Sequence, residues 1–336
     1  MQVSRVALDL AKNVIQVHAV DRFGHKVMSK AVKRDKLLAL LSSLAPCDIG
    51  MEACGSAHHW GRQLQAMGHR VTLLPPPYVK PFVVGQKNDA NDAAAICTAM
   101  AQPYIPAVSV KTLDQQDVQS LHRMRDARVS MRTVYINQIR GLLAEYGLVV
   151  PQGRLQLRRA IPVLLEDTGN GLSAAFRQLL AETYEEIAAL DARVDELTKR
   201  IEAHVRSDES AQRLLQIPGV GPLTASAMVC AVGDARQFRN GRQMAAFLGL
   251  VPRQHSSGGK PRLLGIHKRG DSYLRGLLVH GARSVLRTAG NKTDPRSCWL
   301  TGLAARRHHN IATVAQANKT ARIAWALLAR NEHYRG

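Results

Sequence analysis

The first 100 residues alternate between two spacings of apolar side chains. Val6 to Leu10, Val14 to Val20 and Lys26 to Val32 carry them in short or alternating runs, which predicts three strands. Asp21-Arg22-Phe23-Gly24-His25 supplies the turn between the second and third. Arg34 to Leu44 takes helical spacing, Asp48 to Glu52 returns to a strand, and His58 to Met67 is helical, with Gly68 as its C-cap. His69 to Leu74 forms a fifth strand before Pro75-Pro76-Pro77. Further on, residues 112–146 read as one long, polar, Arg-bearing helix without a heptad seam. In residues 172–209, by contrast, Leu180, Ile187, Leu190, Val194, Leu197 and Ile201 step by sevens, threes and fours, which is a heptad seam.

Three hairpin-linked strands followed by alternating helices and strands is the order of an RNase H-like fold. A doubly wound nucleotide-binding fold would put a helix and a glycine-rich turn after the first strand, and neither is there. The expected architecture is α/β plus α: an RNase H-like N-terminal domain, a heptad helix and a mainly helical C-terminal domain. We place the boundaries at 1–105, 106–209 and 210–336. At roughly 150 residues per domain, 336 residues suffice for a core without disulfide or metal staples.

Charge changes the picture by naming the partner. The chain carries a net +20, and residues 251–336 alone hold 16 Lys and Arg against three acids. Such an excess favours a polyanion, nucleic acid before membrane, met by the C-terminal third. The heptad stretch holds nine acids, among them Glu182, Glu185, Glu186, Asp191, Asp195 and Glu196 beside the seam, so it is expected to space domains or pair with a partner helix, giving a dimer or tetramer. Five scattered cysteines without CxxC spacing fit a reduced cytoplasm rather than disulfides or zinc. No segment approaches 18 uninterrupted apolar residues, so no membrane role is expected. The doublets His58-His59 and His308-His309 lack ligand spacing and read as surface residues.

Four carboxylates carry candidate chemistry. Asp9 ends the first strand and Glu52 the fourth, while Asp89 and Asp92 share a face of an alanine-rich helix. In an RNase H-like sheet the first and fourth strands are neighbours, so these acids can converge. Clustered carboxylates call for cations, and two Mg²⁺ ions about 4 Å apart are what phosphodiester cleavage uses. Residues 214–232 form a helix-hairpin-helix pattern whose turn, Pro218-Gly219-Val220-Gly221, lets backbone approach a phosphate. Downstream, Ser256-Ser257-Gly258-Gly259 holds hydroxyls on a turn among Arg253, Lys260, Arg262, Lys268, Arg269 and Arg275, with His255 beside them.

Together, Ala7-Leu8-Asp9-Leu10-Ala11-Lys12, Met51-Glu52-Ala53-Cys54-Gly55, Asn88-Asp89-Ala90-Asn91-Asp92-Ala93, Ile217-Pro218-Gly219-Val220-Gly221, Phe247 to Pro252 running into Ser257, and Asn318-Lys319-Thr320-Ala321-Arg322 resemble the DEDD-type transposases of insertion sequences, the family that includes the pilin-gene-inverting recombinases. The resemblance implies a RuvC-like domain in which Asp9, Glu52, Asp89 and Asp92 bind Mg²⁺ or Mn²⁺. It also implies a serine nucleophile in the C-terminal domain, Ser257 by counting from Gly249-Leu250-Val251-Pro252, with Ser256 as the alternative. It further implies a covalent phosphoserine, donor and target DNA, and guidance by a noncoding bridge RNA. Two other readings stay open: a Mg²⁺-dependent junction resolvase using water, and a non-catalytic nucleic-acid scaffold.

Overall fold

The computed structural model describes residues 2–86 and 88–335. Strands β1 (Arg5–Leu10), β2 (Val14–Val20) and β3 (Lys26–Lys33) form an antiparallel meander, and β4 (Asp48–Glu52) and β5 (Arg70–Leu74) extend it in parallel from the free edge of β1, giving the order β3-β2-β1-β4-β5. The expected helix at 34–44 is shorter than its pattern: a 3₁₀ turn over Arg34–Lys36 leads into α1 (Leu37–Ser42). This helix and α2 (Ala57–Ala66) bury one sheet face, where Val6, Leu8, Ile49 and Met51 meet Leu37, Leu41, Trp60 and Leu64. The opposite face, with Ala7 and Leu74, is closed by α3 (Pro76–Val79) and α4 (Asp89–Met100) through Val79, Ala95, Ile96 and Ala99. Successive strand residues therefore alternate between two cores.

A 33-residue helix, α5 (Leu113–Glu145), starts at a capping box made by Thr112 and Gln115. After it come α6 (Arg154–Glu166) and α7 (Ala174–Ser207), which carries the heptad seam. Here the structure corrects the sequence reading. Leu180, Ile187, Val194, Leu197 and Ile201 are buried within this one chain, the first two in a cluster with Ile136, Ile139 and Leu143 of α5 and Leu157 and Ile161 of α6. The seam is thus occupied without a partner helix. Arg125 Nε donates to Thr198 Oγ1 at 2.7 Å, so α5 faces part of the seam with a guanidinium where the heptad rule looks for an aliphatic residue. Asp191 does not face solvent: it is buried, and its carboxylate accepts from Arg132 Nη1 at 2.5 Å, Arg154 Nη1 at 2.6 Å and Arg158 Nη1 at 3.4 Å.

The C-terminal part is α8 (Glu209–Leu215), α9 (Pro222–Val232), α10 (Gly241–Phe247), a hairpin of β6 (Pro252–Gln254) and β7 (Leu263–Ile266), then α11 (Ser272–Ala289), α12 (Pro295–Arg306) and α13 (His309–Arg330). One core, including Leu214, Met228, Phe238, Met244, Leu248, Leu278 and Leu327, joins α8 to α11 and α13, and a second, of Val285, Ala289, Leu300 and Ala312, seats α12. Among the described residues no helix is long and apolar enough to cross a membrane.

Two histidines fasten elements that are distant in the chain. His122 of α5 is buried, with Nε2 3.1 Å from Ser226 Oγ of α9 and Nδ1 3.0 Å from Tyr273 OH of α11. His58 of α2 accepts the Lys111 amide at 3.2 Å, so it is no surface residue. Burial first, then nearby cations (Arg125 for His122; Lys111, Arg62 and Arg123 for His58), lowers both imidazoles to about 4; Asp271 opposes the shift at His122. A folded pKa below the unfolded value of about 6.5 means that the unfolded chain binds the extra proton. The stability that these neutral rings contribute is therefore complete above about pH 6.5 and is lost as pH falls towards 4. For His122 the expected loss at pH 5 is about 2 kcal/mol. Thermal unfolding followed from pH 7.5 to 5 is expected to show a falling midpoint, and His122→Gln to flatten that slope.

Candidate functional site

Strand register brings two of the four candidate acids together. β1 and β4 pair in parallel, with Arg5 opposite Asp48 and Leu8 opposite Met51, so Asp9 and Glu52 are the next residues in step. Neighbouring residues in register point to the same side of a sheet. That side is set by their parity: Asp9 shares it with Ala7, in the α4 core, and Glu52 with Gly50, where an added Cβ would stand 2.7 Å from Met100 Sδ of α4. Both carboxylates raise the Cys54 thiol above its ordinary pKa, after the larger effect of its partial desolvation, so their fields converge just beyond β4. The sequence reading passes over Cys54 as a neighbour of the site, because the turn that folds it back is not visible in the pattern of β4.

Asp89 and Asp92 lie in the first turn of α4, where Asn88 caps the helix by accepting the Asn91 amide at 2.8 Å. Carboxylates there are favoured by the helix dipole. Met100, at the other end of α4, packs on Gly50, and Cys97 feels the charge of Arg5, so the C-terminal half of the helix lies over β1 and β4. Among the described residues, however, no three His, Cys, Asp or Glu side chains are close enough to hold a metal ion. The sheet aligns one pair and the first turn of α4 carries the other, but the four do not form a closed ligand set.

The serine turn stands on the β6–β7 hairpin. Lys260 N donates to Ser257 O at 3.1 Å across Gly258 and Gly259, whose φ of +57° and +76° suit a tight hairpin turn that side chains would strain. Ser256 is tied into the hairpin: its Oγ accepts from Arg262 N at 3.2 Å and Gln254 Nε2 at 2.9 Å. Ser257 is exposed, and its hydroxyl engages no group among the described residues. Arg253, Lys260, Arg262, Lys268 and Arg269 are exposed around the hairpin and its stem. Arg275 is not part of that ring. Its Nη1 donates to the carbonyls of Arg269 at 3.1 Å and Leu248 at 3.4 Å, clamping the hairpin stem. The same clamp explains Gly249, where a Cβ would meet Arg269 O at 2.1 Å.

In the helix-hairpin-helix, the two glycines divide the work. Gly219, at φ +87°, packs on α11, with its carbonyl oxygen only 1.9 Å from where a Cβ on Gly281 would sit. Gly221 is open and begins α9 as its N-cap, with Pro218 and Val220 holding the turn between them.

Comparison with known proteins agrees with these two halves. A profile of transposases of the DEDD IS110 type matches residues 6–148, and one described as transposase IS116/IS110/IS902 family matches residues 211–296. Over 336 residues the chain is 51% identical to a probable family 20 transposase of Pseudomonas aeruginosa, covering 100% of this chain and 99% of that relative. The chain belongs to the IS110 transposase family. It is also 45% identical over 330 residues to the transposase for insertion sequence element IS1111A of Coxiella burnetii (98% of this chain, 91% of the relative) and 38% identical over 325 residues to that for IS1328 of Yersinia enterocolitica (97% and 96%). As an IS110-family transposase it is a DNA-cutting and rejoining enzyme. Its mixed α/β N-terminal domain is the RNase H-like DEDD domain, a type that implies a divalent metal.

Proposed function

We propose that this IS110 transposase cuts and rejoins donor and target DNA with Asp9, Glu52, Asp89 and Asp92 as the ligands of Mg²⁺ or Mn²⁺ and Ser257 as the nucleophile, under the guidance of a noncoding bridge RNA. The observation that carries this reading is the alignment of Asp9 and Glu52 on neighbouring parallel strands, facing the helix whose first turn bears Asp89 and Asp92. An all-carboxylate donor set suits a hard divalent cation. When bound, such an ion activates an attacking oxygen and offsets charge on a leaving one.

The remaining steps belong to side chains of the C-terminal domain. Ser257 Oγ attacks phosphorus, the bond to the leaving sugar oxygen breaks, and the hydroxyl proton passes to His255 or water. Arg253, Lys260 and Lys268 offset charge developing on the phosphoryl oxygens. Exposure of the Ser257 hydroxyl, against the tethered hydroxyl of Ser256, supports the choice between the two. The turn Pro218-Gly219-Val220-Gly221, together with Arg262 and Arg269, grips nucleic-acid backbone, and the C-terminal concentration of charge suits an RNA as well as DNA. The proposed units are 1–105, 106–209 and 210–336, with the middle unit fixed to the last through His122.

Ser257→Ala is expected to abolish strand cleavage while retaining DNA binding, and Ser256→Ala to retain both. Cleavage that survives Ser257→Ala would point to water as the nucleophile and reject the serine.

A further inference from the structure

Beside the helix-hairpin-helix turn lies a small surface cavity of about 140 Å³, lined by Gly219, Ser284, Thr288, Lys292, Arg296 and Ser297 among others. No acid lines it. Arg296, in the first turn of α12, has a side chain only 10% exposed, and its Nε and Nη1 are buried with no hydrogen-bond partner. The nearest carboxylate, Asp294, is 3.9 Å from Nε, beyond hydrogen-bond reach. Its oxygens are engaged in capping α12, accepting from Ser297 Oγ at 2.6 Å and Ser297 N at 3.1 Å. A buried guanidinium without hydrogen bonds is costly, and guanidinium groups pair best with planar or tetrahedral oxyanions. The cavity is several times the space that one water needs, enough for one tetrahedral oxyanion.

We propose that this cavity is a phosphate site, in which Arg296 and Lys292 supply charge, and the hydroxyls of Ser284 and Thr288 line the wall. It is separate from the carboxylates of the sheet and from the Ser257 hairpin; its polar side chains come from α11, α12 and the loop between them, and Pro218 and Gly219 of the helix-hairpin-helix turn close one wall. The occupant is a phosphoryl oxyanion, carried either by the backbone of a bound nucleic acid or by free inorganic phosphate. Only the first source rests on the function proposed above.

The test is thermal unfolding of the full chain in chloride buffer, titrated with inorganic phosphate at constant ionic strength. A saturable rise in the midpoint is expected for the native sequence. Arg296→Gln is expected to raise the midpoint without phosphate, because two buried donors that lack hydrogen-bond partners are removed, and to abolish the response. Lys292→Gln, at an exposed position that leaves folding intact, is expected to weaken the apparent phosphate affinity on the order of tenfold. A midpoint that phosphate raises no more than chloride does, or a Lys292→Gln chain that responds as the native one, would overturn the site. Binding to a DNA duplex across a salt series then assigns the source. A slope reduced by about one in Lys292→Gln identifies a backbone phosphate, whereas an unchanged slope with the phosphate response present identifies a free anion.

Discussion

Asp9→Asn and Glu52→Gln are each expected to lower DNA cleavage on the order of 10²–10³-fold, the cost of losing one preorganised charge-stabilising group at a reacting phosphate. Both amides keep the shape of the side chain they replace, so the register of β1 on β4 and the packing of Ala7 and Gly50 against α4 are undisturbed. Cleavage of a labelled substrate is to be measured together with DNA binding and circular dichroism. Lost cleavage with the other two retained is the expected pattern. Equal loss of binding would instead assign the carboxylates to architecture. Asp89→Asn and Asp92→Asn test the second pair in the same assay, and the position of both on one turn of α4 predicts the same direction.

The largest effect on stability is expected from Asp191. Burial alone would raise its carboxyl pKa, but hydrogen bonds from Arg154 and Arg132 and their charges outweigh that and hold it below the ordinary carboxylate value. Its side chain is 7% exposed and that of Arg132 15%, so solvent screens this pair little. Removing Asp191 leaves the buried Arg132 guanidinium uncompensated, and Asp191→Ala is expected to cost about 3–5 kcal/mol. Because the folded pKa is depressed, the contribution is present above the unfolded value near pH 4 and is lost as pH falls through the folded one. Chemical denaturation of native and Asp191→Ala chains at pH 7 and pH 3.5 checks this. The gap between them is to be wide at the higher pH and to narrow at the lower.

The same residue shows where sequence reading stops. Period-two alternation made the sheet legible almost to the residue, since β2 and β4 occupy the stretches their patterns predict, and strand order follows from three hairpin-linked strands and two crossovers. The heptad pattern also located α7. It did not identify what covers the seam, because α5 answers it partly with Arg125 and Arg132, and a polar partner leaves no apolar signal. The pattern places Asp191 beside the seam but gives no sign of its three arginine partners, for the same reason. At the site, the alignment of the two acids on strands follows from register, whereas the position of Asp89 and Asp92 depends on how α4 crosses the sheet, which no local pattern encodes. Arg275 shows the opposite failure. Its charge suggested a role at the serine, yet the tight Gly249 and Gly270 turns place backbone carbonyls within its reach.

Catalysis as proposed joins the carboxylate end of a sheet to one hydroxyl on a distant hairpin, and peptide mapping of protein trapped on cleaved DNA tests that union most directly. The expected result is a nucleotide covalently attached to Ser257 in the native chain and no attachment in Asp9→Asn. A nucleotide on any other residue, or undiminished attachment in Asp9→Asn, would contradict it.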